Sequence, residues 1–200
     1  MLEWQTDVGA YSLAGLIAPV SMASTPNISG LATPRLALHG WLDNAASMAG
    51  LLTALNAIHP APSLALDFPG HGLSHHTAPQ HHAPFVDYLD AVLAVLDAQN
   101  WPQVDLIGHS MGGFLTQRAI EGNAHIKKAS LISSVPPWGL LPSTLEPVVE
   151  NMGDPLGKMI AMQAAEGKPA YVNPDNISAD VQVIGGARDR IIPAEVLSAT

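Results

Sequence analysis

The chain has 200 residues, of which 48% are hydrophobic and only 12% charged, and this composition excludes a disordered chain and a coiled coil. Seventeen acidic against eight basic residues give a formal net charge of -9, which disfavours nucleic acid and anionic membrane surfaces as partners. The sequence contains no cysteine, so a disulfide framework, a thiolate zinc site and a cysteine nucleophile are excluded. The length fits one domain with a substantial core.

The amino-terminal segment predicts neither a transmembrane helix nor a signal peptide. Its longest apolar stretch, residues 13–23, is short and contains Pro19, and the first basic residue is Arg35. A cytoplasmic protein is the default expectation.

Short apolar segments alternate with longer helical patterns along the chain. One or two edge strands are expected in the first 34 residues, with a loop at STPNISG. Strands buried on both faces are predicted at 35–39, 63–67, 104–109, 128–134 and 181–186. Helices are predicted at 44–58, at 84–100 and from Ser110 to about Glu121. The alternation predicts an α/β fold, a mostly parallel sheet flanked by helices.

Residues 136–178 interrupt this alternation with helical and turn-rich sequence that contains no strand pattern. They predict a short helical cap inserted between two parts of the core, residues 1–135 and 179–200. Trp138 and Leu140 are candidates for an apolar pocket lining in this cap, with core packing as the alternative.

The stretch GHSMG, residues 108–112, lies between an apolar strand pattern and a helical one. This G-x-S-x-G spacing is typical of a sharp strand-to-helix turn that projects a serine hydroxyl, here Ser110. Such a turn crowds the positions two residues away on either side, so Gly108 and Gly112 relieve the contact. The N–H of Met111 begins a helix and is the first candidate donor of an oxyanion hole. The alternative is a tight turn with a bystander serine.

A second candidate element is LALHGWLDN, residues 36–44, a buried strand that ends in His-Gly and leads through a loop into a helix. Such a loop can place the N–H of Trp41 opposite that of Met111. His39 is expected to be a buried histidine that is hydrogen-bonded to the backbone and holds the loop without transferring protons. Gly40 is expected to be a second supporting residue of this loop.

A third candidate element is VIGGARDRIIP, residues 183–193, in which an apolar strand runs into a glycine turn. The turn delivers Asp189 to the carboxyl end of the sheet, where open α/β sheets place their sites. A carboxylate there would orient a histidine and stabilise its cationic form. The alternative is a surface aspartate paired with Arg188 or Arg190.

The loop HGLSHHTAPQHH, residues 71–82, is rich in histidine. Adjacent histidines do not place two imidazoles on one face, and no carboxylate is interleaved. A solvated segment is therefore expected, and no metal site is predicted; a metal-binding module is the distant alternative.

Together these segments resemble the α/β-hydrolase superfamily. LALHGWLDNAASM, ALDFPGHGLS, DLIGHSMGGF and GGARDRIIP occur in that family's order, and the pair HGWLDN and DFPGHG is most similar to a branch of capped, esterase-like serine hydrolases. The resemblance implies Ser110 as nucleophile and Asp189 as the acid. It also implies the N–H groups of Trp41 and Met111 as the oxyanion hole.

The family's chain order places the catalytic histidine after the acid, beyond one more strand and helix. All nine histidines of this sequence precede Asp189, so that histidine, the last strand and its helix are expected to be absent, as in a chain truncated at its carboxyl end. His109 adjoins Ser110, but its side chain is expected to point away. The base would come from chain beyond Thr200, from His71, which is also a possible pocket-lining residue, or from a partner subunit.

The expected function is hydrolysis of a small carboxylic ester through an acyl-Ser110 intermediate, without a cofactor. The alternative is an impaired fragment or pseudoenzyme that keeps the fold but lacks the triad histidine. A missing last strand also predicts self-association through an exposed sheet edge.

Overall fold

The structure is a computed structural model that describes residues 1–18, 32–76, 85–134 and 174–189. These residues form a seven-stranded sheet with helices on both faces. The strands are β1 (Leu2–Val8), β2 (Tyr11–Ala18), β3 (Arg35–Leu38), β4 (Ser63–Leu66), β5 (Val104–His109), β6 (Ile126–Ile132) and β7 (Asp180–Ile184). The helices are α1 (Ala46–Ile58), α2 (Phe85–Gln99) and α3 (Met111–Ile120), with a 3-10 turn at Pro174–Asn176.

The sheet has the strand order β1-β2-β4-β3-β5-β6-β7. β1 and β2, and β2 and β4, pair antiparallel, whereas every pair from β4 to β7 is parallel. The carboxyl ends of β3 to β7 therefore share one edge of the sheet. The chain leaves β3 toward β4 on one side and returns to β5 on the other, so β3 and β5 flank a topological switch point.

The sheet separates two hydrophobic clusters because successive strand residues point to opposite faces. On one face, Ala37, Ala65 and Ile107 of the central strands pack with Met48 and Leu52 of α1. On the other, leucines of the same strands pack with α2 and α3 in the larger cluster. The predicted α/β fold, a mostly parallel sheet with flanking helices, is confirmed.

The predicted strands and helices correspond to observed elements whose ends differ by up to two residues. Of the one or two edge strands expected in the first 34 residues, β1 lies at the edge of the sheet, whereas β2 lies between β1 and β4. One expectation was wrong. β7 is not buried on both faces: four of its five residues are exposed, and among the described residues it has a strand neighbour on one side only, β6. The loop predicted at STPNISG lies outside the described residues.

The chain re-enters the described structure at the amino-terminal edge of the sheet. Ile177 forms a bridge with Glu121 and packs against the larger cluster, and the Gly122 N–H donates to the Asn176 carbonyl at 3.0 Å. Residues 174–178, assigned to the cap by the sequence, thus lie on the core. The rest of the predicted cap, with Trp138 and Leu140, lies outside the described residues.

Among the described helices, none combines the length and the apolar character needed to cross a membrane.

Candidate active site

The backbone at Ser110 has the geometry of a sharp strand-to-helix turn. Ser110 lies between β5 and α3 with φ 51° and ψ -115°, a region that side-chain-bearing residues seldom occupy. Its N–H donates to the Ile132 carbonyl at 2.9 Å, and its own carbonyl accepts the N–H groups of Gly113 and Phe114. The strained residue is thus fixed from β6 on one side and by the first turn of α3 on the other.

Glycines make this turn sterically possible. A methyl group on Gly108 would meet the backbone of Gly112, and one on Gly112 would meet the carbonyls at the end of β3. The sequence did not single out Gly113, yet a methyl group there would meet the side chain of Ser134. Gly112 therefore has two effects: it relieves the steric crowding of the turn, and it lets α3 approach the end of β3 closely.

The segment after β3, residues 40–45, passes beside Ser110; we call it the oxyanion loop. Leu38 is in register with Gly108 on the neighbouring strand, which brings the two strand ends together. A methyl group on Gly40 would lie 3.5 Å from the Ser110 Cβ and 3.1 Å from His109 Nδ1. The ring of His109 therefore packs against Gly40, and the backbone leading to Trp41 runs next to the serine.

Two backbone donors are available at this point. Among the described residues, no acceptor is found for the N–H of Trp41 or for that of Met111. Met111 is the first residue of α3, where unpaired N–H groups and the helix dipole favour negative charge. Ser110 itself is partly exposed. The arrangement can present a hydroxyl to a carbonyl group and stabilise an oxyanion.

His39, which immediately precedes the oxyanion loop, is fully buried. Its Nε2 accepts the Phe68 N–H at 3.2 Å, so Nδ1 carries the proton that is donated to the Gly40 carbonyl at 2.6 Å. Burial lowers the pKa of His39 to about 4, although the bond to the Gly40 carbonyl acts in the opposite direction. The neutral ring thus holds the loop, as the sequence predicts.

His71 is also buried, and both of its ring nitrogens have partners. Nδ1 lies 3.1 Å from the Pro69 carbonyl, and Nε2 accepts the Leu42 N–H at 3.3 Å. The ring packs between those of His39 and Tyr88, with centroids 5.2 Å and 5.7 Å away. These contacts argue against His71 as the base, because the only nitrogen able to accept a proton already binds the backbone. Its place as a pocket-lining residue stays a prediction.

Asp189 lies at the same edge of the sheet, after the end of β7. Its N–H donates to the Gly186 carbonyl at 3.0 Å, which closes a turn directly after the strand. β6 lies between β5 and β7, so Ser110 and Asp189 follow strands that are two positions apart. No group of three side chains suited to a metal ion is found in the part of the chain that the structure describes.

Sequence reasoning missed Asp67, which is buried directly after β4. Its two carboxylate oxygens accept the N–H groups of Ala45 at 2.6 Å and Leu73 at 3.0 Å. The signal available in the sequence was an acidic residue directly after an apolar strand. A carboxylate that is buried at such a position needs hydrogen-bond donors, which neighbouring loops supply.

Comparison with known proteins identifies the class to which this fold and site belong. The model of the alpha/beta hydrolase family matches residues 36–195. This match covers most of the chain, which belongs to the alpha/beta hydrolase family.

Individual relatives are similar over part of their length. A serine hydrolase-like protein of Danio rerio is 34% identical over 122 residues, which are 60% of this chain and 35% of that protein. The chain spans 25% to 35% of the length of the first three curated relatives that it matches.

Two solved structures are similar over most of this chain. A hypothetical protein from Pseudomonas aeruginosa PAO1 is 27% identical with a TM-score of 0.56, covering 82% of this chain and 52% of its own. Est1E from Butyrivibrio proteoclasticus, bound to ferulic acid, has a TM-score of 0.71 at 17% identity, covering 98% of this chain and 83% of its own. The likeness to Est1E shows the fold alone.

Proposed function

We propose that this protein is a serine hydrolase that cleaves carboxylic esters with Ser110 as the nucleophile. The observation that carries the proposal is the backbone conformation of Ser110, which has φ 51° at the amino-terminal end of α3 beside the oxyanion loop. A non-glycine residue in such a conformation costs free energy, and that cost is typical of functional sites. The similarity to serine hydrolase-like proteins supports the same reading.

In this proposal, Ser110 Oγ attacks the ester carbonyl carbon while the N–H groups of Trp41 and Met111 bind the developing oxyanion. The serine proton passes through a base to the leaving alkoxide, which departs as an alcohol. Water then attacks the acyl-Ser110 ester, and the acid product leaves with the serine hydroxyl restored. Each donor of such a hole is worth about 10²–10³ in kcat.

Asp189 is proposed as the acid that orients the base, on the strength of its position after β7. The base itself is a histidine, and all nine histidines precede Asp189 in this sequence. His39 and His71 have both ring nitrogens engaged with backbone groups, so neither takes this role. An external base therefore belongs in the test.

The test is hydrolysis of p-nitrophenyl acetate by the 200-residue chain, with and without added imidazole, each rate taken after subtracting the rate of the same mixture without protein. Turnover should disappear in Ser110→Ala and persist in Ser178→Ala, a matched control at an exposed serine. Turnover without imidazole would mean that the protein supplies a base. Equal rates for the chain and Ser110→Ala under both conditions would overturn the proposal, leaving the fold without the chemistry.

A further inference from the structure

The oxyanion loop contains a strained residue that packing does not hold in place. Leu42, next to Trp41, has φ 58°, a left-handed conformation that is unusual for a leucine. Its side chain is 67% exposed, so side-chain burial does not stabilise this conformation. A polar contact must offset the strain, and the loop after β4 supplies it.

His71 makes that contact. Its Nε2 accepts the Leu42 N–H at 3.3 Å. Nδ1 lies 3.1 Å from the Pro69 carbonyl, which can only accept, so the proton resides on Nδ1 and Nε2 keeps its lone pair. The ring is fixed between His39 and Tyr88 and cannot turn away without disturbing both.

Asp67 fixes the far end of the same loop. Its Oδ1 accepts the N–H of Ala45, the residue that precedes α1, at 2.6 Å. At the start of α1, Asn44 Oδ1 accepts the Ala46 N–H, and the Asp67 carboxylate accepts the N–H of Ala45 from 22 positions along the chain. The other oxygen binds the Leu73 N–H, and a methyl group on Gly72 would overlap the carboxylate.

We propose that Asp67 and His71 are positioning residues that hold the Trp41 N–H in place over Ser110. This inference rests on the proposed function. The backbone is held at Gly40 by His39, at Leu42 by His71 and at Ala45 by Asp67. The Gly40 carbonyl and the Trp41 N–H belong to one peptide plane and the Leu42 N–H to the next, so the two hydrogen bonds restrain the backbone on both sides of Trp41.

The kinetic test compares His71→Leu with His71→Gln. Leucine removes the acceptor, whereas the amide oxygen of glutamine lies the same number of bonds from Cβ as Nε2 and can accept the Leu42 N–H. Ester turnover supported by imidazole should fall by about 10²-fold in kcat for His71→Leu, with KM little changed, as for the loss of an oxyanion donor. His71→Gln should restore most of the kcat.

The matched control is His75→Leu, at an exposed histidine on the same loop for which no side-chain partner is found among the described residues. It should leave both kinetic constants unchanged. Equal decreases in kcat for His71→Leu and His71→Gln, or a rise in KM with kcat unchanged, would overturn the inference.

Amide hydrogen exchange tests the same inference without catalysis. His71→Leu should speed exchange of the Leu42 amide at least tenfold relative to His71→Gln and His75→Leu, at matched global stability. Unchanged exchange would overturn the positioning role even in an active protein. Faster exchange in a protein that shows no Ser110-dependent turnover would support the loop mechanism while overturning the proposed function, so the two failures are distinguishable.

Discussion

At Ser110 the fold holds a backbone conformation that costs of order 1–3 kcal/mol, and its neighbours determine whether that conformation is accessible. Gly108 and Gly112 have no room for a methyl group, because each faces backbone atoms that cannot rotate away. Gly50, on the exposed side of α1, has no neighbour within 4 Å of the position a methyl group would take. Substitution by alanine should therefore lower the free energy of unfolding at a crowded glycine and raise it at Gly50.

Gly112→Ala should destabilise the protein by about 2 kcal/mol or more, because the methyl group separates α3 from the end of β3. Gly50→Ala should stabilise it by about 0.5–1 kcal/mol, since alanine loses less backbone entropy in a helix. Chemical denaturation of both variants measures the two free energies of unfolding. A neutral Gly112→Ala would contradict the close approach described for the turn.

His39 makes stability depend on pH. Its folded pKa of about 4 lies below the ordinary value of 6.5, so the unfolded chain binds the proton more readily. The stabilisation is fully present above pH 6.5 and is lost as the pH falls toward 4. That shift corresponds to about 3 kcal/mol. Unfolding free energies of the chain and His39→Gln across this range should converge at acid pH; curves that stay parallel would contradict the account.

At the scale of elements, the site depends on two strands that are neighbours in the sheet but distant in the chain. β3 delivers the oxyanion loop and β5 delivers Ser110, and their parallel pairing aligns Leu38 with Gly108. Because a parallel neighbour requires a long crossover, α1, β4 and α2 intervene between them in sequence. The loop after β4 then returns to support the oxyanion loop through Asp67 and His71.

β7 is largely exposed at the end of the described sheet. Val183 and Ile184 are 41% and 42% exposed at the end of the described sheet. An exposed apolar strand edge is a template for pairing with another chain, so we predict concentration-dependent self-association. Val183→Lys should shift sedimentation velocity profiles toward the monomer, whereas Val86→Lys, at an exposed site on α2, should not. A chain that stays monomeric at high concentration would contradict this prediction.

At the scale of the whole molecule, the sequence predicts the central sheet and the turn at Ser110 well. β3, β4 and β5 are mainly apolar because both faces are covered, and the G-x-S-x-G pattern reflects local sterics that any such turn must obey. β7 has a similar apolar pattern but is largely exposed, because burial depends on neighbours that a local pattern does not specify. The contact of His71 with the oxyanion loop was missed for the same reason, because Leu42 lies 29 positions away in the sequence.

Covalent trapping would show whether Ser110 is the nucleophile of an oxyanion site. The chain, Ser110→Ala and Ser178→Ala would be treated with a fluorophosphonate in the presence of imidazole and mapped by mass spectrometry. We predict one adduct, on Ser110, which is absent in Ser110→Ala and retained in Ser178→Ala. An adduct that persists in Ser110→Ala, or the absence of any adduct on the chain, would mean that Ser110 is not the nucleophile.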